Sequence, residues 1–418
     1  MARDLDTFNE DLKDRFCAVR GRSEAFAAPL SAEDMTVQSM CDASPTKWHL
    51  AHTTWFWETF LLAPCAPGYQ PFDPAFCFLF NSYYEGVGER HSRPERGLLT
   101  RPGIARILEY REAVTSAVGE WLETTDAQTV SQARAVIETG IAHEEQHQEL
   151  LLTDIKHAIS RHPFDQAVYP RAAPARRPAP ALNWRRFKCG MVELGHEGAQ
   201  FAFDNEGPRH RALLHPFALA SRPVTNGEYA QFIADGGYRT ASLWLSDGWS
   251  RISEEGRAAP LYWRGSDSGW RERTLHGEID LDPDAPVSHI DFFEANAFAS
   301  WADARLPTEF EWEHGAADAD PQAVHWAEPG EWLHPTGEDA GCFGGVWEWT
   351  RSDYAPYPGY RAPEGAISEY NGKFMCGQYV LRGGSRLTPP GHMRASYRNF
   401  MYPGAQWQMS GLRLARDL

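Results

Sequence analysis

The chain has 418 residues, 42% hydrophobic and 23% charged, with a mean hydropathy of −0.51, the profile of an ordinary soluble protein with room for two or three domains. A formal net charge of −17 disfavours phosphate backbones and anionic bilayers, which excludes nucleic acid and membrane as partners. No run reaches the length of a membrane span, and the charged opening MARDLDTFNEDLKDRF lacks signal-peptide form, so a cytoplasmic protein is expected.

Helices come first. One is expected from about Asp6 to Phe26, then a short one after Ser31, where Asp34 completes a capping-box-like start. Ser44 and Pro45 read as an N-cap and a first-turn proline for a helix through TKWHLAHTTWFWE. Pro102 and Gly103 open another, to about Leu122, and a long one is expected from about Thr129 to His157, with Gly140 its weak point. Four main helices with long connections predict a bundle over residues 1–161, a frequent mount for metals.

Residues 162–185 hold five prolines without hydrophobic periodicity, the mark of an extended linker. From 186 to 418 short apolar runs alternate with Gly, Pro, Asn and Asp, predicting an α+β domain with few helices, one of them over Ile290 to Ala304. Seven cysteines, at 17, 41, 65, 77, 189, 342 and 376, form no C-x-x-C pair, and their odd number rules out a complete disulfide framework. Sixteen tryptophans cluster in WHLAHTTWFW, LWLSDGW, WADARLPTEFEWEH and GGVWEW; such clusters stabilise cores and can wall a pocket for an organic cation.

The most specific local signal is His143-Glu-Glu-Gln-His147, followed by Glu149. Imidazoles four residues apart on a helix project from one face and can grip a single ion. The same letters satisfy H-E-x-x-H, the zinc-peptidase signature with Glu144 as base, but no Glu lies between 149 and Glu193 to serve as third ligand and the G-x-x-H extension is missing.

Both halves resemble one family, the iron-dependent sulfoxide synthases of ergothioneine biosynthesis. The first half resembles their DinB-like four-helix bundle. The second resembles the formylglycine-generating-enzyme or sulfatase-modifying fold, a C-type-lectin-like domain, through RPVTNGEYAQFI at 222, PVSHIDFFEANAFASW from 286, RLPTEFEWEHGA at 305, GGVWEWT at 344, LRGGS at 381 and SGLRLAR at 410. The expected fold is therefore multidomain, α followed by α+β.

The resemblance implies Fe(II) held by three histidines, matched here by His52, His143 and His147. Spacing alone does not separate His52 from His49, one turn away; the family pattern favours His52 and leaves His49 structural, with Glu149 a partner orienting an imidazole. The stretch from Phe80 to Arg101 resembles the family's active-site loop, so Tyr83 or Tyr84 is the candidate proton or hydrogen donor. Arg90 and Arg93 are candidates to clamp the carboxylate of a thiol substrate, with Arg93 preferred. Gln146 matches a contact to an imidazole substrate, hercynine (trimethylhistidine), and Asn399, Phe400 and Met401 match a segment that closes the site. Some relatives carry an acidic residue where Met401 stands, so free cysteine enters as donor beside γ-glutamylcysteine. The expected partners are thus hercynine, a thiol and O2, and the product a sulfoxide.

Alternatives were a selenosugar donor giving selenoneine, a zinc peptidase, and a non-catalytic lectin-like module on a metal-stabilised bundle. A formylglycine-generating oxidase needs cysteines three and eight residues after the GGS serine. Here Ser385 is followed at those positions by Thr388 and Met393.

Overall fold

The computed structural model describes residues 2–267, 269–324, 326–364 and 369–418. It forms two compact units, Met1–Pro163 with Pro363–Glu369, and Phe164–Ala362 with Tyr370–Leu418.

The first unit is built on α1 (Ala2–Ala27), α2 (Thr46–Trp57), α5 (Ile104–Thr124) and α6 (Ala127–Ser160), with the short helices α3 (Ala63–Cys65) and α4 (Ala75–Phe80) between α2 and α5. α1 and α2 each pack against both α5 and α6, which makes the four a bundle. α6 starts where Asp126 caps the amides of Gln128 and Thr129. Gly140 is no weakness in it: a Cβ there would lie 2.7 Å from the Trp57 ring, so the glycine lets the outer edge of that indole approach the helix backbone. α2 passes into a π-helical turn over Glu58–Leu62, where the buried Glu58 carboxylate accepts from the hydroxyls of Tyr69 and Tyr110 at 2.8 and 2.7 Å.

Two expectations need correction here. Ser31 and Asp34 do exchange the reciprocal bonds of a capping box, at 2.9 and 3.1 Å, but only a single 3-10 turn, Asp34–Thr36, follows. Ser44 is not the N-cap of α2, because Pro45 occupies that position and no side chain caps it. The Ser44 hydroxyl instead accepts from Arg96 at 2.9 Å, a tertiary bond that outcompetes the local one.

Among the described residues of the second unit, twelve strands form small sheets in the orders β1-β4-β12, β10-β9-β8-β11, β2-β3 and β5-β6-β7. β1 (Trp184–Phe187) and β12 (Ala415–Asp417) flank β4 (Phe217–Ala220), so the unit's two ends share a sheet. β8 (Trp347–Asp353), β9 (Tyr379–Arg382) and β10 (Asn399–Met401) pair antiparallel, while β11 (Ser410–Leu412) joins β8 in parallel. The remaining strands, β2 (Gly190–Leu194) with β3 (His210–Leu214) and β5 (Trp263–Ser266), β6 (Gly269–Thr274) and β7 (Gly277–Asp280), are antiparallel ladders.

Among the helices α7 (Asn226–Ala234), α8 (Ser246–Glu255), α9 (Phe292–Trp301) and α10 (Glu309–Ala316), three begin with the same device. Thr225 with Glu228, Asp291 with Glu294, and Thr308 with Glu311 are complete capping boxes. Each box glutamate also pairs with an arginine: Glu228 with Arg222, Glu294 with Arg257 and Glu311 with Arg305, at 2.9, 3.3 and 2.7 Å. The segments VTNGE, IDFFE and PTEFE are thus helix starts tied into their surroundings.

The proline-rich segment is extended but not loose. The amides of Val168 and Tyr169 both donate to Leu275 O at 3.0 Å, and His276 Nδ1 donates to Tyr169 O at 2.6 Å. No helix among the described residues is long and apolar enough to cross a membrane.

Candidate metal centre

α2 and α6 supply four imidazoles. His49 and His52 lie one turn apart on α2, His143 and His147 one turn apart on α6, and the packing of the two helices brings the four together. His52 is wholly buried, its ring stacked on Trp48 at 4.6 Å and on Trp55 at 5.4 Å, residues one turn before and one turn after it. Its Nδ1 donates to Phe80 O at 2.6 Å. A carbonyl only accepts, so Nδ1 carries the proton and Nε2 offers a lone pair. That Nε2 lies 3.1 Å from Nε2 of His143, and one ring nitrogen each of His52, His143 and His147 fall within 4.8 Å of one another.

This arrangement fits a metal. Two imidazole nitrogens bonded at right angles to one ion, each about 2.1 Å away, stand about 3 Å apart, the separation seen between His52 and His143. Ligation requires neutral rings. Burial, then His143, pushes His52 well below its ordinary pKa; burial lowers His143 to about 3; burial, then the His143 and His52 charges, lowers His147 well below the ordinary value.

His49 plays a different part from its neighbour. Its Nδ1 is 2.8 Å from Nδ1 of His147, and its Nε2 donates to Asp154 Oδ2 at 3.0 Å. The same oxygen accepts the Ser44 amide at 2.8 Å.

Glu144 stands apart from this cluster's chemistry. Fully buried, its carboxylate accepts from Arg20 at 3.1 Å, Arg111 at 2.5 Å, Ser23 at 2.8 Å and Trp57 at 3.3 Å. Burial alone would raise its pKa, but the guanidiniums of Arg111 and Arg20 outweigh that and hold it at about 2. A carboxylate so engaged does not take up the proton of a metal-bound water, so the peptidase reading loses its base.

The loop after α4 carries the tyrosines. Tyr84 is fully buried, its ring 4.9 Å from Phe60 and 5.6 Å from Trp55, with the half-buried Tyr83 stacked on it at 4.6 Å. Asn81 organises the loop: its Oδ1 accepts the Tyr84 amide, and its Nδ2 donates to the carbonyls of Tyr84 and Gly88. Glu369 accepts from the amides of Glu85 and Gly86 at 3.1 and 2.8 Å.

Arg90 and Arg93 are both exposed. Arg90 pairs with Glu85, and Arg93 donates to Asp42 O at 2.5 Å. The buried arginine of this stretch is Arg96, which was not singled out by sequence: it lies 3.4 Å above the Trp48 ring, which itself stacks on His52, and donates to Ser44 and to Ser82, the latter at 3.2 Å. Burial, then the Arg93 charge, disfavours its charged form. The three-residue step from 90 to 93 to 96 was the available signal. Gln146 is half-buried on α6 beside His147, and Glu149 is half-buried one turn from Glu145.

In the second unit Asn399, Phe400 and Met401 form β10, opposite Leu381, Val380 and Tyr379. Phe400 stacks on Tyr354 at 4.0 Å and 9°. The preceding Arg398 is buried, its guanidinium fork on both oxygens of Glu309 at 2.9 and 3.0 Å. In the GGS turn the Ser385 amide donates to Thr388 Oγ1 at 2.8 Å, while Met393 packs in an apolar cluster with Trp312, Ala316 and Phe343. Core packing and a hydroxyl-closed turn stand where a formylglycine oxidase would need thiols.

The family model described as "Sulfatase-modifying factor enzyme 1-like domain" matches residues 174–337 and 340–418, and that of the DinB superfamily matches 15–151. The hercynine oxygenase of Mycobacterium tuberculosis is 35% identical over 408 residues, spanning 90% of this chain and 91% of the relative. The chain belongs to the hercynine oxygenase family. The hercynine oxygenase of Mycolicibacterium thermoresistibile is 34% identical over 90% of this chain and 88% of its own length. Ergothioneine biosynthesis protein 1 of Schizosaccharomyces pombe is 30% identical over 52% of this chain, itself 28% of that longer protein. As a member of the hercynine oxygenases the protein is an oxidoreductase, and the DinB and sulfatase-modifying parts of its architecture follow one another along the chain.

Proposed function

We propose that the protein joins C2 of the hercynine imidazole to the sulfur of cysteine or γ-glutamylcysteine, with O2 as oxidant, to give a sulfoxide. In this reaction the C2–H and S–H bonds break, C–S and S–O bonds form, and the second oxygen atom leaves as water with the two hydrogens. The observation that carries the reading is the convergence of His52, His143 and His147 on one point in a chain aligned along most of its length with hercynine oxygenases.

His52, His143 and His147 would hold the ion as neutral nitrogen donors. Fe(II) bound there supplies the redox capacity that coupling with O2 requires, with positions left for substrates. Trp48, Trp55 and Phe56 enclose the imidazoles, the Phe56 and His143 rings lying 4.7 Å apart, and so exclude water from the buried side. Gln146 orients the hercynine ring. Arg90 or Arg93 binds the carboxylate of the thiol substrate. Tyr83 or Tyr84 delivers the proton as the new bonds form.

The test is anaerobic reconstitution with Fe(II), followed by hercynine, O2 and either cysteine or γ-glutamylcysteine, with a selenosugar as comparison, read by mass spectrometry. The expected product is the hercynyl sulfoxide with one of the thiols. Absence of coupled product with every donor sinks the proposal, and Phe at 83 or at 84 identifies the donor tyrosine.

A further inference from the structure

We infer that His49 and Asp154 are positioning residues that set the tautomer and donor strength of His147. The inference rests on the three-histidine reading above and extends it to residues that touch neither substrate nor ion. Asp154 Oδ2 accepts from His49 Nε2 at 3.0 Å, so His49 carries a proton on Nε2, and the nitrogen left to accept is Nδ1 on the far side of the ring. The atom it faces, at 2.8 Å, is Nδ1 of His147. His147 therefore donates from Nδ1, which leaves its Nε2 lone pair for the ion. A hydrogen bond to the far nitrogen also makes an imidazole a stronger donor and fixes the plane of its ring.

The pair is built into the bundle. His49 comes from α2 and Asp154 from α6, both are buried, and Asp154 is anchored by the Ser44 amide at 2.8 Å. His52 has the equivalent support from the Phe80 carbonyl. A backbone carbonyl orients one ligand, and a carboxylate relayed through a second imidazole orients another. A structural histidine would need only a partner for each nitrogen; this one lies in line between a carboxylate and a candidate ligand.

The test uses the full-length chain and compares His49→Phe, His49→Asn and Asp154→Asn with the parent. Phe removes the acceptor, whereas Asn presents an amide oxygen near the position of Nδ1. Fe(II) affinity is measured anaerobically by chelator competition, and the ligand field by the visible absorption of the Co(II)-substituted protein. The expected result is a loss of about 10- to 100-fold in Fe(II) affinity for His49→Phe, in line with other partners of metal-bound histidines, with an altered Co(II) spectrum at saturation. His49→Asn should recover most of both, and Asp154→Asn should fall between, since its amide oxygen still accepts while the charge is gone. If the parent binds Fe(II) and Co(II) but His49→Phe, folded by circular dichroism, matches it in affinity and spectrum, the inference is overturned and the three-histidine reading stands. Should His49→Phe fail to fold, equal affinities and spectra for His49→Asn, Asp154→Asn and His49→Ala overturn it. A parent that takes up neither ion overturns both.

Discussion

The indole of Trp48 lies on the imidazole of His52, centroids 4.6 Å apart and planes 13° from parallel, while the Arg96 guanidinium sits 3.4 Å from the Trp48 ring. One side chain thus forms a wall of the histidine cluster and the support of a buried cation. Trp48→Ala is expected to cost about 3–5 kcal/mol, the range for emptying a large aromatic site in a core. It should also weaken Fe(II) binding, because His52 loses one of its two stacking faces. Urea unfolding and metal titration of Trp48→Ala beside Trp48→Phe check this, with Phe expected to keep most of both properties.

Glu144 and His147 should separate cleanly. Glu144→Gln removes the carboxylate shared by the buried Arg20 and Arg111, leaving Arg111 only its Glu24 partner, and breaking one side of such a buried pair costs about 3–5 kcal/mol. The folded fraction should still bind one metal ion. His147→Ala should instead lose the ion with a smaller change in stability. Thermal melts combined with elemental analysis of the purified variants decide the matter. A peptidase would show the reverse emphasis, with Glu144→Gln silent in stability.

Gly140→Ala reverses the usual rule for helix interiors. Propensity alone would favour Ala by about 1 kcal/mol, yet the new Cβ would stand 2.7 Å from Trp57, and overpacking of this kind costs about 1–3 kcal/mol. The expected outcome is a lowered urea midpoint, largely restored by pairing Gly140→Ala with Trp57→Phe.

The second unit should lose stability as pH rises. Burial, then the charge of Asp291, pushes Glu294 up to about 8. Below about pH 8 the folded state therefore holds on this carboxyl a proton that the unfolded chain releases in the ordinary carboxylate range, and its contact with Arg257 at 3.3 Å becomes an ion pair only as that proton leaves. The contribution is complete below that range and is lost as pH rises through about 8, with a limiting slope of about 1.4 kcal/mol per pH unit for one proton. Glu294→Gln, which mimics the protonated form, should flatten the fall in melting temperature between pH 5 and 8.5 relative to the parent.

Sequence legibility followed the range of the interaction. The start of α9 was legible near Ile290, whereas those of α7 and α10 were not read as helix starts, although each of the three capping boxes closes within four residues. His143 and His147 were visible because helical periodicity alone puts them on one face. Choosing His52 over His49 took the family pattern, because the two differ only in which partners, Phe80 and Asp154, reach them across the bundle. Arg96 escaped notice, and Ser44 was read as a cap, because their bond joins residues far apart in sequence. The setting of Glu144 was equally hidden: its partners come from α1, α2 and α5.

The bond from His52 to the Phe80 carbonyl has a thermodynamic corollary. Phe80 is the residue before Asn81, whose amide group fastens the turn that carries Tyr83 and Tyr84. Filling the imidazole cluster and ordering that turn are therefore linked equilibria, and linkage acts equally in both directions. Metal uptake should slow amide hydrogen exchange across residues 81–88, and slackening the turn with Asn81→Ala should loosen the ion to the same free-energy extent. The turn that carries Tyr83 and Tyr84 would then be held more firmly in the metal-loaded protein than in the metal-free one.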